Sequence, residues 1–237
     1  MIDTGKSGYN KGKSQAEIIV LKYFKDTGIK KLEAVIVTHF DNDHSGGTAD
    51  LLNNIKVGKL YVNDLNHDSL SAKKVYSAVK HTNTDMVLAE NNQTVYDEKG
   101  LKLTNFITTG HKYDNDNSII TLLEYNNFTM LFTGDAGINS LHAIQNNIPH
   151  NLTVLKVPHH GAFTGLDREL VKHMSPEYSI VSTGENKFGH PSMYILSLLE
   201  NSQILRTDIE NSIRFKLNKD GFKILTYDIR RRKYVQK

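Results

Sequence analysis

Thr38-His39-Phe40-Asp41-Asn42-Asp43-His44-Ser45-Gly46-Gly47 decides how this chain is read. Two imidazoles and two carboxylates fall between His39 and His44, directly after the apolar run Ala34-Val35-Ile36-Val37. A strand ending in such a cluster delivers several ligands to one edge of a sheet. Alternate residues of an extended segment face the same way, so His39, Asp41 and Asp43 are expected to converge on one side. His44 then swings in as the chain turns through Gly46-Gly47 toward a helix begun by Thr48-Ala49-Asp50-Leu51-Leu52. Imidazole nitrogen mixed with carboxylate oxygen suits Zn²⁺, Mn²⁺ or Fe²⁺ better than Ca²⁺ or a thiolate-loving ion. A solvated polar turn would explain one His beside one Asp. Four potential ligands at this spacing point instead to a metal site.

Three further clusters follow strand-like runs in the same way. Leu131-Phe132-Thr133-Gly134-Asp135 ends in a carboxylate that a tight turn at Gly134 leaves projecting from a sheet edge. Val154-Leu155-Lys156-Val157-Pro158-His159-His160-Gly161 ends in paired imidazoles, and Ile180-Val181-Ser182-Thr183-Gly184 leads into Gly189-His190-Pro191. If these ends share a rim with the first cluster, the ligands suffice for two metal ions. Each taken alone reads equally as a turn; their value lies in combination.

Around these ends, strand-like runs fall at 34–38, 58–62, 101–108, 118–124, 128–133, 152–157, 177–182, 203–206, 211–217 and 221–227. Helical periodicity covers 14–27, 47–54, 69–81, 136–147, 166–174 and 192–201, with Asp167 and Ser192 as helix-entry residues. Asn126-Asn127 and Asn218-Lys219-Asp220-Gly221 read as hairpin turns, and 111–117 as a polar loop. Helices falling between groups of strands predict a layered α/β sandwich, taken as one domain over 1–237. The 237 residues include no cysteine, which excludes disulfides, thiolate ligands and a Cys nucleophile. A net charge of +3 is compatible with a polyanionic substrate without arguing for one, and Arg230-Arg231-Arg232-Lys233 reads as a solvated basic end. No run approaches the ~20 apolar residues of a membrane span and no signal segment opens the chain, so a soluble, cytoplasmic protein is the default expectation.

The order HxDxDH, TGD, LKVPHHG, STG…GHP and RTD…I resembles the metallo-β-lactamase superfamily. More narrowly it is similar to the nuclease-like domain of ComEC-type DNA-uptake proteins and their stand-alone relatives. Asn117-Ser118 before the strand leading to Asp135, and Arg206-Thr207-Asp208 before Ile213-Arg214-Phe215, fit that group. The resemblance runs from Ile2-Asp3-Thr4-Gly5 to about Phe215 and implies an αββα sandwich with a dinuclear Zn²⁺ or Mn²⁺ site. It implies His39 and Asp41 on one metal, Asp43 and His44 on the other, and Asp135 bridging. His160 would complete the second site, with His159 beside the substrate, His190 lining the pocket and Lys156 facing a phosphate. Asp41 replaces the second His of the commoner HxHxDH motif, which is usual for this branch. His111 lies roughly where a further ligand of the first metal falls. The chain starts at Met1-Ile2-Asp3-Thr4-Gly5, as if two initial strands and a DVGQGD-like turn were missing. An open sheet edge there would invite self-association.

Such a site favours a metal-dependent phosphodiesterase working through a metal-activated hydroxide, with Asp43 both ligand and orienter of the attacking water, and the resemblance to the ComEC-type branch implies DNA as its substrate. His190 would protonate a leaving group or hold a phosphate oxygen. A phosphorylcholine esterase, lactonase or thioesterase would use the same site with an apolar pocket. A truncated, non-catalytic homologue would bind metal or nucleic acid without turnover. Oligomeric state is open at this level.

Overall fold

The computed structural model describes residues 1–108, 114–218, 221–228, 230–231 and 233–237. After a π-helical turn at Ala16–Val20, helix α1 (Leu21–Thr27) leads to strand β1 (Lys31–Ile36). A helical turn, α2 (Asn42–Ser45), and helix α3 (Thr48–Asn54) follow, then β2 (Lys56–Val62), α4 (Leu70–Thr82) and β3 (Asp85–Leu88). The three strands form a parallel sheet in the order β1-β2-β3. Met1–Asp3 runs along the other side of β1: Ile2 pairs with Ile36, and the Asp3 amide donates to the Ile36 carbonyl at 2.9 Å.

A second sheet contains β4 (Gln93–Glu98), β5 (Leu101–Phe106), β6 (Ile120–Tyr125), β7 (Phe128–Phe132), β8 (Val154–Lys156), β9 (Tyr178–Val181) and β10 (Gln203–Arg206). Its order is β10-β9-β8-β7-β6-β5-β4. Strands β4 to β7 are antiparallel neighbours, with two-residue turns joining β4 to β5 and β6 to β7; Asn126 takes φ +52 between β6 and β7, as a two-residue hairpin demands. Strands β7 to β10 are parallel, and parallel neighbours need crossovers. Those crossovers carry α5 (Ile138–Ala143), α6 (Arg168–Met174) and α7 (Met193–Leu198). A helical turn, α8 (Thr207–Glu210), leads to an antiparallel sheet of β11 (Ile213–Asn218), β12 (Gly221–Asp228) and β13 (Lys233–Gln236). Phe215 and Phe222 of this sheet pack on Phe128 and Tyr178, which carries it against the larger sheet.

Three apolar clusters show the layers. Val35, Val37, Leu60 and Val62 pack with Phe24, Leu51 and Val75, joining the first sheet to its helices. Leu131, Leu155 and Val181 pack with Leu141, Leu170 and Ile195, joining the second sheet to α5, α6 and α7. Ile36 and Tyr61 meet Ile107 and Ile119 between the sheets. The result is helix on sheet on sheet on helix, the αββα sandwich that the sequence resemblance implies.

The structure departs from the sequence expectations in four places. Strand β1 ends at Ile36, and Asp43 and His44 sit in the turn α2 with Asp41 at its N-cap, so strand alternation does not deliver Asp43. Strand β4 arises from a segment with no marked apolar run, and β3 from the short run Met86-Val87-Leu88, neither of which carries a strand expectation. The turn α8 interrupts the passage from β10 to β11. The basic end is partly structured: Lys233–Gln236 pairs with β12, and the Arg231 amide donates to Asp228 at 3.0 Å. His111 and the turn residues Lys219 and Asp220 lie outside the described residues.

Both predicted helix-entry residues cap: Asp167 accepts from the Leu170 amide and Ser192 from the Ile195 amide. Asp167 also meets His142 Nε2 at 2.7 Å. The bond to Asp167 raises the His142 pKa; burial would lift that of Asp167, but the Leu170 amide and His142 hold it down. Asp167→Ala therefore costs about 1–2 kcal/mol through loss of cap and pair. His142 contributes fully below its unfolded pKa and loses that contribution as pH rises through its folded value; Asp167 contributes above its unfolded pKa and loses it in acid. His142→Gln should thus destabilise most between about pH 4 and pH 6.5, with the difference shrinking in alkali. Urea unfolding of both chains at about pH 5.5 and pH 8.5 checks the sign.

Candidate metal centre at the strand ends

Because β7, β8 and β9 are parallel neighbours, their C-terminal ends open on one rim. The segment after β1 joins that rim from the first sheet, anchored where the Ile119 amide donates to the Thr38 carbonyl at 2.9 Å. Gly134 makes the approach possible. It takes φ +53, and a Cβ there would lie 3.0 Å from both the Ser118 and Thr38 side chains. His159 and His160 take φ +46 and +55, left-handed values that ordinary residues adopt at a cost and that turn both imidazoles toward the rim.

Each imidazole is held by its Nδ1 edge. His44 Nδ1 lies 2.7 Å from Asp3 Oδ2, and His160 Nδ1 lies 2.7 Å from the Ser182 carbonyl. Both partners only accept, so both Nδ1 atoms carry hydrogen and Nε2 is turned to the centre. His39 is fully buried with Nδ1 by Thr38 Oγ1 at 3.1 Å and Ser118 Oγ at 3.4 Å. His39 Nε2 is 3.5 Å from Asp41 Oδ2, and His44 Nε2 is 3.2 Å from Asp135 Oδ1. His160 Nε2 lies 3.3 Å from Asp43 Oδ2 and 3.5 Å from Asp135 Oδ2.

Those inward atoms are the unsatisfied ones. His39 Nε2, His44 Nε2, His160 Nε2 and Asp135 Oδ1 are buried without a hydrogen-bond partner. Two ligand sets converge among the described residues, His39-His44-Asp135 and Asp43-His44-His160, each with its donor atoms within 4.8 Å of one another. Buried polar atoms left unpaired are costly, and nitrogen and carboxylate donors aimed at a common point are what a divalent cation takes up. The residues fit a divalent metal centre.

Charge in the rim is strongly coupled. Burial would raise the Asp135 carboxyl, but His44 and Lys156 hold it far below the usual carboxylate range. His160 holds Asp43 down at about 2, and a bond from His39 lowers Asp41. Burial would push His44 down, but Asp3 and Asp135 overturn that and lift it to about 10. Burial lowers His159 and His190.

The structure gathers His39, Asp41, Asp43, His44, Asp135 and His160 at this one rim. His44 is a member of both ligand sets. His159 Nε2 stands 3.8 Å from Asp135 Oδ2, and the His190 ring is 5.8 Å from the His159 ring. Lys156 donates to the Gly134 carbonyl at 2.7 Å and lies 3.7 Å from Asp135 Oδ1, so its first partner is the loop that carries Asp135. Asp3 was missed as a functional residue: its carboxylate also accepts from the Thr38 amide at 2.8 Å and the Thr38 hydroxyl at 2.9 Å. Its signal was a carboxylate just before Thr4-Gly5, the point where the family resemblance begins. Asp43, His44, Lys156 and His160 line a cavity of about 610 Å³ whose lining also includes the apolar Met1, Ile19, Leu103 and Leu123.

The metallo-beta-lactamase superfamily model matches residues 1–185, so the chain belongs to that superfamily. ComE operon protein 3 of Bacillus subtilis is 28% identical over 211 residues, covering 86% of this chain and 27% of that protein. Recombination protein 2 of Haemophilus influenzae is 28% identical over 228 residues, covering 94% of this chain and 27% of that protein. The resemblance to the ComEC-type competence group is thereby borne out. The chain spans about a quarter of the length of these curated relatives. The solved metallo-beta-lactamase fold protein YhfI of Bacillus subtilis superposes with a TM-score of 0.50 at 11% identity, covering 86% of this chain and 93% of that one. That likeness is one of fold.

Asp3 keeps the His44 Nε2 lone pair aimed inward, so Asp3→Asn should weaken Zn²⁺ or Mn²⁺ binding by about 10- to 100-fold. Calorimetric titration of the folded variant measures it, and unchanged affinity would remove Asp3 from the account.

Proposed function

We propose that residues 1–237 form one metal-dependent hydrolase domain, a dinuclear phosphodiesterase acting on DNA. The observation that carries the reading is the convergence of unpartnered His Nε2 and Asp oxygen atoms at one sheet rim. The names of the competence and recombination relatives add the nucleic-acid direction.

His39 and Asp41 would hold one ion, Asp43, His44 and His160 the other. A single nitrogen lone pair serves one ion, whereas the Asp135 carboxylate, with two oxygens within 3.5 Å of His44 and His160, would serve both. Two Zn²⁺ or Mn²⁺ ions bound there would supply the positive charge that acidifies water and offsets charge on phosphoryl oxygens. Asp43 is half exposed at the cavity and accepts from water, orienting it toward the substrate. His159 and His190, neutral near pH 7 because burial lowers them, present N–H groups to a phosphate oxygen. Lys156 fixes the Asp135 loop and adds a positive charge to the same wall.

A second reading is favoured by the apolar wall of the cavity: an ester hydrolase for a small substrate with an apolar group such as a lactone or thioester. End-labelled DNA, a chromogenic phosphodiester and an acyl lactone, each with Mn²⁺ or Zn²⁺, separate the two. We expect metal-dependent DNA cleavage that Asp43→Ala reduces by about 100-fold or more. Intact DNA with a cleaved lactone would establish the ester reading instead. A folded, metal-loaded chain that cleaves nothing would leave a non-catalytic binding protein.

A further inference from the structure

Beyond the metal centre, a run of rings leads out of the rim. The His44 and His160 rings are 5.6 Å apart, His160 and His159 6.3 Å, and His159 and His190 5.8 Å. Phe188 continues the run, stacked on His190 at 5.8 Å with an interplanar angle of 21°. It is 82% exposed, an unusual state for a phenyl ring. Met193 and Tyr194, a few residues on, and Phe163, whose ring lies 4.7 Å from that of Tyr194, are also exposed. The Ser192 amide donates to the Gly161 carbonyl at 2.9 Å, fastening the Phe163 loop to the Tyr194 helix.

The loop that presents Phe188 is braced from within. Asn186 Nδ2 donates to the carbonyls of Gly184 at 2.9 Å and His190 at 2.8 Å. Asn186 Oδ1 accepts from the amides of Phe188 at 3.1 Å and His190 at 3.0 Å. One amide side chain thus closes the turn and sets the Phe188 backbone, so the exposed ring is held in place. A ring with one face on His190 keeps its other face for a planar partner, at a distance from the centre set by the ring run.

We infer that Phe188, backed by His190 and held by Asn186, is a stacking platform for a base of single-stranded nucleic acid whose phosphodiester enters the metal centre. The inference rests on the phosphodiesterase reading and names its substrate form: a base in a duplex has both faces covered and cannot stack there. Three features favour nucleic acid over a protein partner. The patch is continuous with the rim through the rings of His190 and His159. The exposed Lys187 next to Phe188 offers a cation for the neighbouring phosphate. Stacking is also sequence-tolerant, because every base has a π-face.

Fluorescence anisotropy with the full, metal-loaded chain tests this. The probes are phosphorothioate oligothymidylate of about ten nucleotides and an abasic phosphorothioate of equal length and charge. The native chain should bind the thymidylate about ten-fold or more tightly than the abasic strand. Phe188→Ala should erase most of that preference and Phe188→Tyr should keep it, with the unfolding midpoint of both variants unchanged. Tight but equal binding of the two strands, or a preference that survives Phe188→Ala, overturns the platform while leaving the phosphodiesterase reading in place. Binding of neither strand overturns both. A concentration-dependent dimer that Phe188→Ala dissolves, with oligonucleotide affinity unchanged, would make the patch a self-association surface and overturn the inference too.

Discussion

The Asp135 carboxylate is 3% exposed, and taking a carboxylate out of water costs several kcal/mol unless positive charge comes with it. Lys156 and His44 supply part of that charge within 4 Å. They do not supply all of it, since Asp3, Asp41 and Asp43 crowd the same rim. In the metal-free chain the deficit is met by holding a proton on His44, whose pKa rises to about 10. Divalent cations would meet it better, and the imidazole Nε2 atoms left without partners lie where they would bind.

The sandwich serves that constraint. Strands β7, β8 and β9 run parallel, so one rim receives Asp135, His159, His160 and His190 from consecutive strand ends. The first sheet brings His39 and His44 across from the opposite layer. Close approach of the layers depends on Gly134, where any side chain would strike Ser118 and Thr38. The Asp3–His44 bond joins residues 41 positions apart, so the correct aim of one ligand waits on the correct pairing of Met1–Asp3 along β1.

Much of this was legible in the sequence because the candidate ligands follow apolar runs, and an apolar run that stops at a charged residue marks both a strand end and a candidate site. The αββα class and the helix caps at Asp167 and Ser192 came through for the same local reasons. Asp43 reaches the rim from a helical turn rather than by strand alternation, because the chain leaves the extended form at Asp41, whose carboxylate faces His39 rather than capping that turn. Gln93, Asp97 and Glu98 blur the alternation of β4, and the apolar run within β3, Met86-Val87-Leu88, is short; pairing with neighbours makes them strands. The roles of Asp3 and Asn186 rest on contacts that spacing does not encode.

The central claim is that the buried carboxylates and inward-turned imidazoles are a dinuclear metal centre. Elemental analysis after loading with Mn²⁺ or Zn²⁺ and removal of free metal, on the native chain and on Asp135→Asn, tests it most directly. The account predicts about two ions per native chain and a clear loss in the variant. A folded native chain that retains no metal, or an Asp135→Asn chain that retains as much as the native one, would contradict it.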